Sequence, residues 1–314
     1  MKKMNYVAGT AFLILALLAM PAFAAWTRQG VKGRETVRTR KRGGTPMSDL
    51  AAVDYSRLDI PEVLMVLFHP RREWEAPASG SRFGDVLIPV EEGASIGGRF
   101  HVAEKSNPNI LFFHGNGEIV SDYDDLGPLY NRLGINFLAV DYRGYGRSTG
   151  KPTVSSMMRD CHAIFDYVKN WLKENGCTGP LVVMGRSLGS ASAIELAASH
   201  PDGIGGLVVE SGFAYSEPLL KLLGADMRSL GHGREDEFGN LAKIRKIEKP
   251  LLVIHAERDH IIPFSDGQAL YEASPSSDKT ILKIPGANHN DIFARGLSEY
   301  MAMMKSFTVR LRAR

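Results

Sequence analysis

Residues 180–200 read Pro180-Leu181-Val182-Val183-Met184-Gly185-Arg186-Ser187-Leu188-Gly189-Ser190-Ala191-Ser192-Ala193-Ile194-Glu195-Leu196-Ala197-Ala198-Ser199-His200. The short apolar run to Met184 predicts a strand covered on both faces. The Ala-rich run after Gly189, with apolar positions three and four apart, predicts a helix. Ser187 stands at the tip of the turn between them. Gly185 and Gly189, two residues to either side, let the backbone take a tight path and let the helix pack close to the strand. Such a turn lifts a hydroxyl out of the chain and aims a helix N-terminus at any anion forming beside it. Gly-x-Ser-x-Gly alone is a common pattern, but strand and helix flanks make it a nucleophile elbow with Ser187 as the candidate nucleophile.

Working outward, apolar runs recur at the pace of an alternating strand and helix chain. Asp85–Pro89 and Gly98–Val102 predict two strands around a Glu- and Gly-rich turn, an antiparallel start to a sheet. Asn109–Phe113 predicts a buried strand that runs into His114-Gly115-Asn116-Gly117-Glu118, whose glycines leave backbone N–H groups open to a ligand. Helical character from Tyr123 to Leu133, a strand over Phe137–Val140 and the loop Asp141–Ser148 follow. Met157, Cys161, Ile164, Phe165, Val168, Trp171 and Leu172 share one face of a long helix that Gly176 stops. Beyond the elbow, strands are predicted at Ile204–Val209, Pro250–His255 and Thr280–Ile284, with a closing helix from Asp291. This alternation predicts an α/β fold, a mostly parallel central sheet with helices on both faces and a site at the carboxyl ends of the strands.

Two stretches lie outside that alternation. Residues 213–249 loosen into an insertion, a short lid with one helix around Leu219–Leu223 and another beginning at Leu241 and capped by Asn240. A lid this small leaves the pocket shallow and open. Met47–Trp74 forms a lead-in whose short apolar helix opens at Ile60-Pro61 and packs on the domain.

The N-terminus reads as a targeting segment. Lys2 and Lys3 precede an uncharged stretch from Met4 to Thr27, and Ala22 and Ala24 fit a secretory cleavage site after Ala24. The same stretch is long enough to anchor in a bilayer. Seven positive charges between Arg28 and Arg42, against Glu35 alone, oppose translocation. The expected organisation is a signal peptide or membrane anchor at 1–24, a basic linker and lead-in helix at 25–66, and the catalytic domain at 67–314. The expected location is exported, periplasmic or secreted, or membrane-anchored; translation from Met47 would make it cytoplasmic. Cys161 and Cys177 lie about 24 Å apart along a helix and its end, too far for a disulfide, and two unpaired cysteines count against export.

Composition narrows the partners. Without residues 1–46 the chain holds 29 Lys and Arg against 34 Asp and Glu, a net charge of −5. That acidic balance, without a basic face or motif, excludes a nucleic-acid partner. No histidine or cysteine spacing suggests a metal site, and no cofactor is expected.

The chain from about Leu67 resembles the α/β-hydrolase superfamily. The resemblance rests on the His114-Gly115 loop, the elbow at Ser187, an Asp at a strand end and a His after the last strand, in the order Ser, Asp, His. Phe112–Gly117, Asp141–Gly146 and the short lid look most similar to small-lid serine hydrolases, the serine aminopeptidase-like and depalmitoylase-like group. The resemblance implies a serine hydrolase, an esterase or thioesterase by preference, with a peptidase as an alternative. Ser187 would be the nucleophile, His289 the base and Asp259 the acid, with Glu210 and Glu257 as alternative acids. The backbone N–H groups of Asn116 and Leu188 would form the oxyanion hole. The implied partner is a small-molecule or lipid-like acyl substrate, or an acylated protein, with membrane association through the N-terminal segment. An acyltransferase with the same residues and a non-catalytic binding protein share the pattern.

Overall fold

The computed structural model describes residues 53–73, 84–229 and 237–312. Eight strands form one sheet: β1 (Gly84–Glu91), β2 (Ala94–His101), β3 (Asn109–Phe113), β4 (Asn136–Val140), β5 (Leu181–Arg186), β6 (Gly206–Glu210), β7 (Leu251–Ala256) and β8 (Lys279–Ile284). Their spatial order is β1-β2-β4-β3-β5-β6-β7-β8. The β1–β2 and β2–β4 pairs are antiparallel and the others parallel, as the early hairpin and the later alternation require. Every residue of β3, β4, β5, β6 and β7 is buried. Such strands read as continuous apolar runs because helices cover both faces.

The helices are α1 (Pro61–Leu67), α2 (Leu126–Arg132), α3 (Val154–Glu174), α4 (Gly189–Ser199), α5 (Ser216–Leu223), α6 (Asn240–Ile244), α7 (Phe264–Ala273) and α8 (Ile292–Arg312). Two apolar clusters, one on each side of the sheet, hold them. Leu111, Val183 and Val209 face a layer that includes α3 and α4. Ile110, Val182 and Val208 face α8 through Tyr300, Met304 and Phe307. This odd–even division is the period-two alternation of a strand. Thr153 caps α3 through a reciprocal box with Ser156, and Gly176 beyond its end takes φ +68°.

Some elements depart from the sequence reading. The helical run at 123–133 divides into a 3-10 turn, Val120–Tyr123, and α2. Asn240 does not cap α6: Gly239, at φ +69°, is the capping residue, and the Asn240 amide donates instead to the Phe213 carbonyl at 2.9 Å. Helix α7 was not expected, because only Ile261 and Ile262 mark the approach to it. Cys161 is buried and Cys177 half-buried, both as free thiols.

The membrane reading is corrected. Among the described residues no helix is long and apolar enough to cross a membrane. The two 21-residue helices, α3 and α8, instead bury an apolar stripe against the sheet and carry charges on the other side. The signal peptide or anchor at 1–24, with the export and membrane association drawn from it, falls outside the described residues and has nothing among them to carry it.

On the β1–β2 side, the buried Arg99 guanidinium binds Asp85 and Glu73 at 2.8 Å each and Asp124 at 2.8 Å. The lead-in segment, the hairpin and the chain before α2 are thereby joined in one ion-pair network.

Candidate active site

Ser187 occupies the turn between β5 and α4 at φ +51°, a left-handed conformation rare and strained for a side chain other than glycine. Its backbone N–H donates to the Glu210 carbonyl at 2.8 Å, and its carbonyl accepts from the Ser190 hydroxyl at 2.6 Å. The flanking glycines are needed for closeness. A Cβ on Gly185 would lie 2.1 Å from the Gly189 carbonyl oxygen, and one on Gly189 would lie 2.2 Å from that of Phe113. The elbow is pressed against the end of β3, so Ser187 and the His114–Glu118 loop lie side by side.

The Ser187 hydroxyl is 3.0 Å from Nε2 of His289, and Nδ1 of His289 is 2.7 Å from Oδ2 of Asp259. His289 comes from the loop after β8 and Asp259 from the loop after β7. Asp259 is held by its own loop, whose Ile261 and Ile262 N–H groups donate to Oδ1 at 3.0 and 2.9 Å. Burial pushes the Asp259 carboxyl up, but the hydrogen bond and charge of His289 and the Ile262 N–H more than offset this. Its pKa therefore stands below the ordinary value. An ionised Asp259 makes His289 Nδ1 the donor and leaves Nε2 to accept from Ser187.

Neither alternative acid reaches His289. Glu210 accepts from Arg186 at 3.0 Å and from the Tyr300 hydroxyl at 2.6 Å, beneath the sheet end. Glu257 is exposed and accepts from the Gly286 N–H at 2.8 Å. His255, within 3.6 Å of Asp259, bonds the Ile262 carbonyl through Nε2, and burial pulls its pKa down.

The His114–Glu118 loop is tied at several points. Tyr142 donates to the His114 carbonyl at 2.6 Å, the Gly115 N–H donates to Glu118 at 2.7 Å, and Nε of Arg71 donates to the Gly117 carbonyl at 3.2 Å. Burial pulls the His114 ring down, but Asp141, 3.3 Å from its Nε2, more than offsets this and the pKa is raised. Among the described residues, the backbone N–H groups of Asn116 and Leu188 have no acceptor.

Arg186, directly before the nucleophile, was not singled out from the sequence. Its guanidinium donates to Glu118 at 2.9 Å, to Glu210 at 3.0 Å and to the His289 carbonyl at 3.1 Å. Burial alone would raise Glu118, yet Arg186, with Tyr123 and His114, holds it down at about 2. One buried cation thus joins the segments that carry Ser187, His289 and the glycine loop.

A cavity of about 300 Å³ adjoins Asp259, walled by Tyr215, Pro218, Leu219 and Leu222 of the lid and by Ile261 and Pro263, with His260 and Asp266 also lining it. Among the described residues, no group of three or more His, Cys, Asp or Glu side chains is placed to hold a metal ion.

An eight-stranded sheet of this order with a serine elbow defines the α/β-hydrolase fold. The family described as "Serine aminopeptidase, S33" matches residues 104–232 and 240–294, and the chain belongs to that family. Among curated relatives, the chain is 33% identical over 212 residues to the alpha/beta hydrolase domain-containing protein aho-3 of Caenorhabditis elegans, covering 64% of this chain and 58% of that protein. It is 30% identical over 227 residues to alpha/beta hydrolase domain-containing protein 17C of Xenopus tropicalis, covering 69% and 67%. The match thus spans roughly three fifths to two thirds of these relatives. Among solved structures, an esterase of Pyrococcus furiosus superposes with a TM-score of 0.62 at 21% identity, covering 77% of this chain and 99% of that one. Est1E of Butyrivibrio proteoclasticus with ferulic acid bound gives 0.59 at 20% identity, covering 73% and 100%. At these identities the structures speak for the fold.

Proposed function

We propose that the protein is a serine hydrolase that cleaves a carboxylic ester or thioester through an acyl-enzyme. The observation that carries this reading is the chain of contacts from Ser187 through His289 to Asp259, at 3.0 and 2.7 Å. An alcohol is a poor nucleophile until a neighbouring base accepts its proton. Ser187 Oγ attacks the carbonyl carbon as its proton passes to His289 Nε2, and Asp259 stabilises the imidazolium without taking the proton itself. The tetrahedral oxyanion is met by the N–H groups of Leu188 and Asn116. His289 then protonates the leaving group, and water hydrolyses the acyl-enzyme by the same relay. The apolar wall of the cavity beside Asp259 favours an acyl chain over a polar group.

The matched family carries the name serine aminopeptidase, so peptide amides stand as the second reading. The test is labelling with a fluorophosphonate probe, comparing wild type with Ser187→Ala and His289→Ala, followed by p-nitrophenyl esters of rising chain length and aminoacyl p-nitroanilides. Labelling lost in both variants, with ester turnover exceeding anilide turnover, is the expected result. Faster anilide turnover would select the peptidase. A folded wild type that does not label would leave a binding protein in hydrolase form.

A further inference from the structure

The segment that leaves α1 crosses the glycine loop. Phe68 is buried, and the chain that follows is pinned at Gly146, whose N–H donates to the Arg71 carbonyl at 2.8 Å and whose carbonyl accepts from the Glu73 N–H at 3.2 Å. Between these anchors, the His69 backbone N–H donates to both Asn116 Oδ1 and the Tyr145 hydroxyl, each at 2.8 Å. Tyr145 donates in turn to Asn116 Oδ1 at 2.7 Å, and Asn116 Nδ2 lies 2.7 Å from Nδ1 of the His69 ring.

These contacts determine the orientation of each group. A backbone N–H can only donate, so the Asn116 atom facing it is the carbonyl oxygen, and the atom facing the imidazole is the amide nitrogen. That nitrogen can only donate. His69 Nδ1 therefore accepts, and the ring is the neutral tautomer with its hydrogen on Nε2. Tyr145 is fully buried, and burial raises its phenol, so it remains a donor.

We propose that His69, acting with Tyr145 through the Asn116 side chain, is a positioning residue for the oxyanion-hole N–H of Asn116. The inference rests on the reading of Asn116 as an oxyanion donor. The residue sits between Gly115 and Gly117, the latter at φ +77°, and glycine on both sides leaves its peptide planes free to rotate unless something else holds them. On the backbone, the Gly115 carbonyl of the peptide that carries the Asn116 N–H lies 2.7 Å from His114 Nδ1 and accepts from the Glu118 N–H at 3.4 Å, while Glu118, Tyr142 and Arg71 fix the neighbouring peptide groups. The side chain of Asn116 is fixed by residues 69 and 145. An oxyanion donor acts only when its N–H lies within hydrogen-bond distance of the developing charge, and an error of 1 Å lowers the rate about a hundredfold.

The test uses the full-length chain and its His69→Ala, His69→Gln and Tyr145→Phe variants. Steady-state kinetics on a p-nitrophenyl ester are paired with inhibition by an aryl trifluoromethyl ketone, which forms a tetrahedral oxyanion on the serine. His69→Ala is expected to lower kcat about 10- to 100-fold with KM within about threefold, and to weaken the ketone by the same factor. Tyr145→Phe is expected to do the same. His69→Gln restores kcat to within about threefold, because its side-chain oxygen accepts from Asn116 Nδ2. A His69→Ala enzyme with wild-type kcat, a fall in kcat without weaker ketone binding, or a Gln variant as slow as Ala would overturn the proposal. A wild type that neither labels with fluorophosphonate nor binds the ketone would instead overturn the hydrolase reading beneath it.

Discussion

Replacing Arg186 with methionine removes the one cation shared by Glu118, Glu210 and the His289 carbonyl. The carboxylates keep some partners: Glu118 retains the Gly115 N–H and the Tyr123 hydroxyl, and Glu210 retains the Tyr300 hydroxyl. The charge left behind is the larger loss. Glu118 titrates at about 2 in the folded protein, against an ordinary 4.5. That depression is worth about 3 kcal/mol, present above pH 4.5 and lost as pH falls through 2. Without Arg186, burial acts on Glu118 with its main opponent gone, and the depression shrinks even though Tyr123 and His114 still lower the carboxyl. Arg186→Met should therefore be about 3–5 kcal/mol less stable than wild type at pH 7, with the gap narrowing as the pH falls to about 3. Urea unfolding followed by fluorescence at the two pH values measures this. A gap below about 1 kcal/mol at pH 7, or one unchanged at about pH 3, would refute the assignment of Arg186 as the hub of the buried charges.

Asp259→Asn should lower kcat about ten-thousandfold by disturbing the tautomer and charge of His289, while Glu257→Gln on the exposed side of the same loop stays within about twofold. Equal effects from the two would remove Asp259 from its role. Gly189→Ala places a methyl 2.2 Å from the Phe113 carbonyl and 2.7 Å from that of His114. It should be destabilised by about 2–3 kcal/mol and lose fluorophosphonate labelling, and an unchanged urea midpoint would contradict so close an approach of elbow and glycine loop.

What could be read from the sequence was local. The elbow, the glycine loop and the His after the last strand are short stretches in which backbone demand and chemistry coincide, and the strands between them announce themselves because both faces are buried. The acid was less legible, because Glu210, Glu257 and Asp259 all lie near strand ends. Sequence does not reveal that a guanidinium and a phenol already occupy Glu210, or that Ile261 and Ile262 turn their N–H groups toward Asp259. Arg186 was invisible for a related reason: a charged residue next to a nucleophile reads as exposed, yet here its partners are 68, 24 and 103 positions away in the chain. His69 lies 47 residues before Asn116 in what reads as a packing segment, and no spacing rule connects them.

The lead-in and the first hairpin lie upstream of residue 104, where the segment matched by the family starts. Yet Arg99 binds Glu73 and Asp124 across that border, and Arg71 and His69 grip the loop beside the nucleophile. The packed unit therefore extends further on its N-terminal side than the segment the family matches. A fragment cut to the matched segment would keep Ser187, His289 and Asp259 but lose part of the scaffold around them.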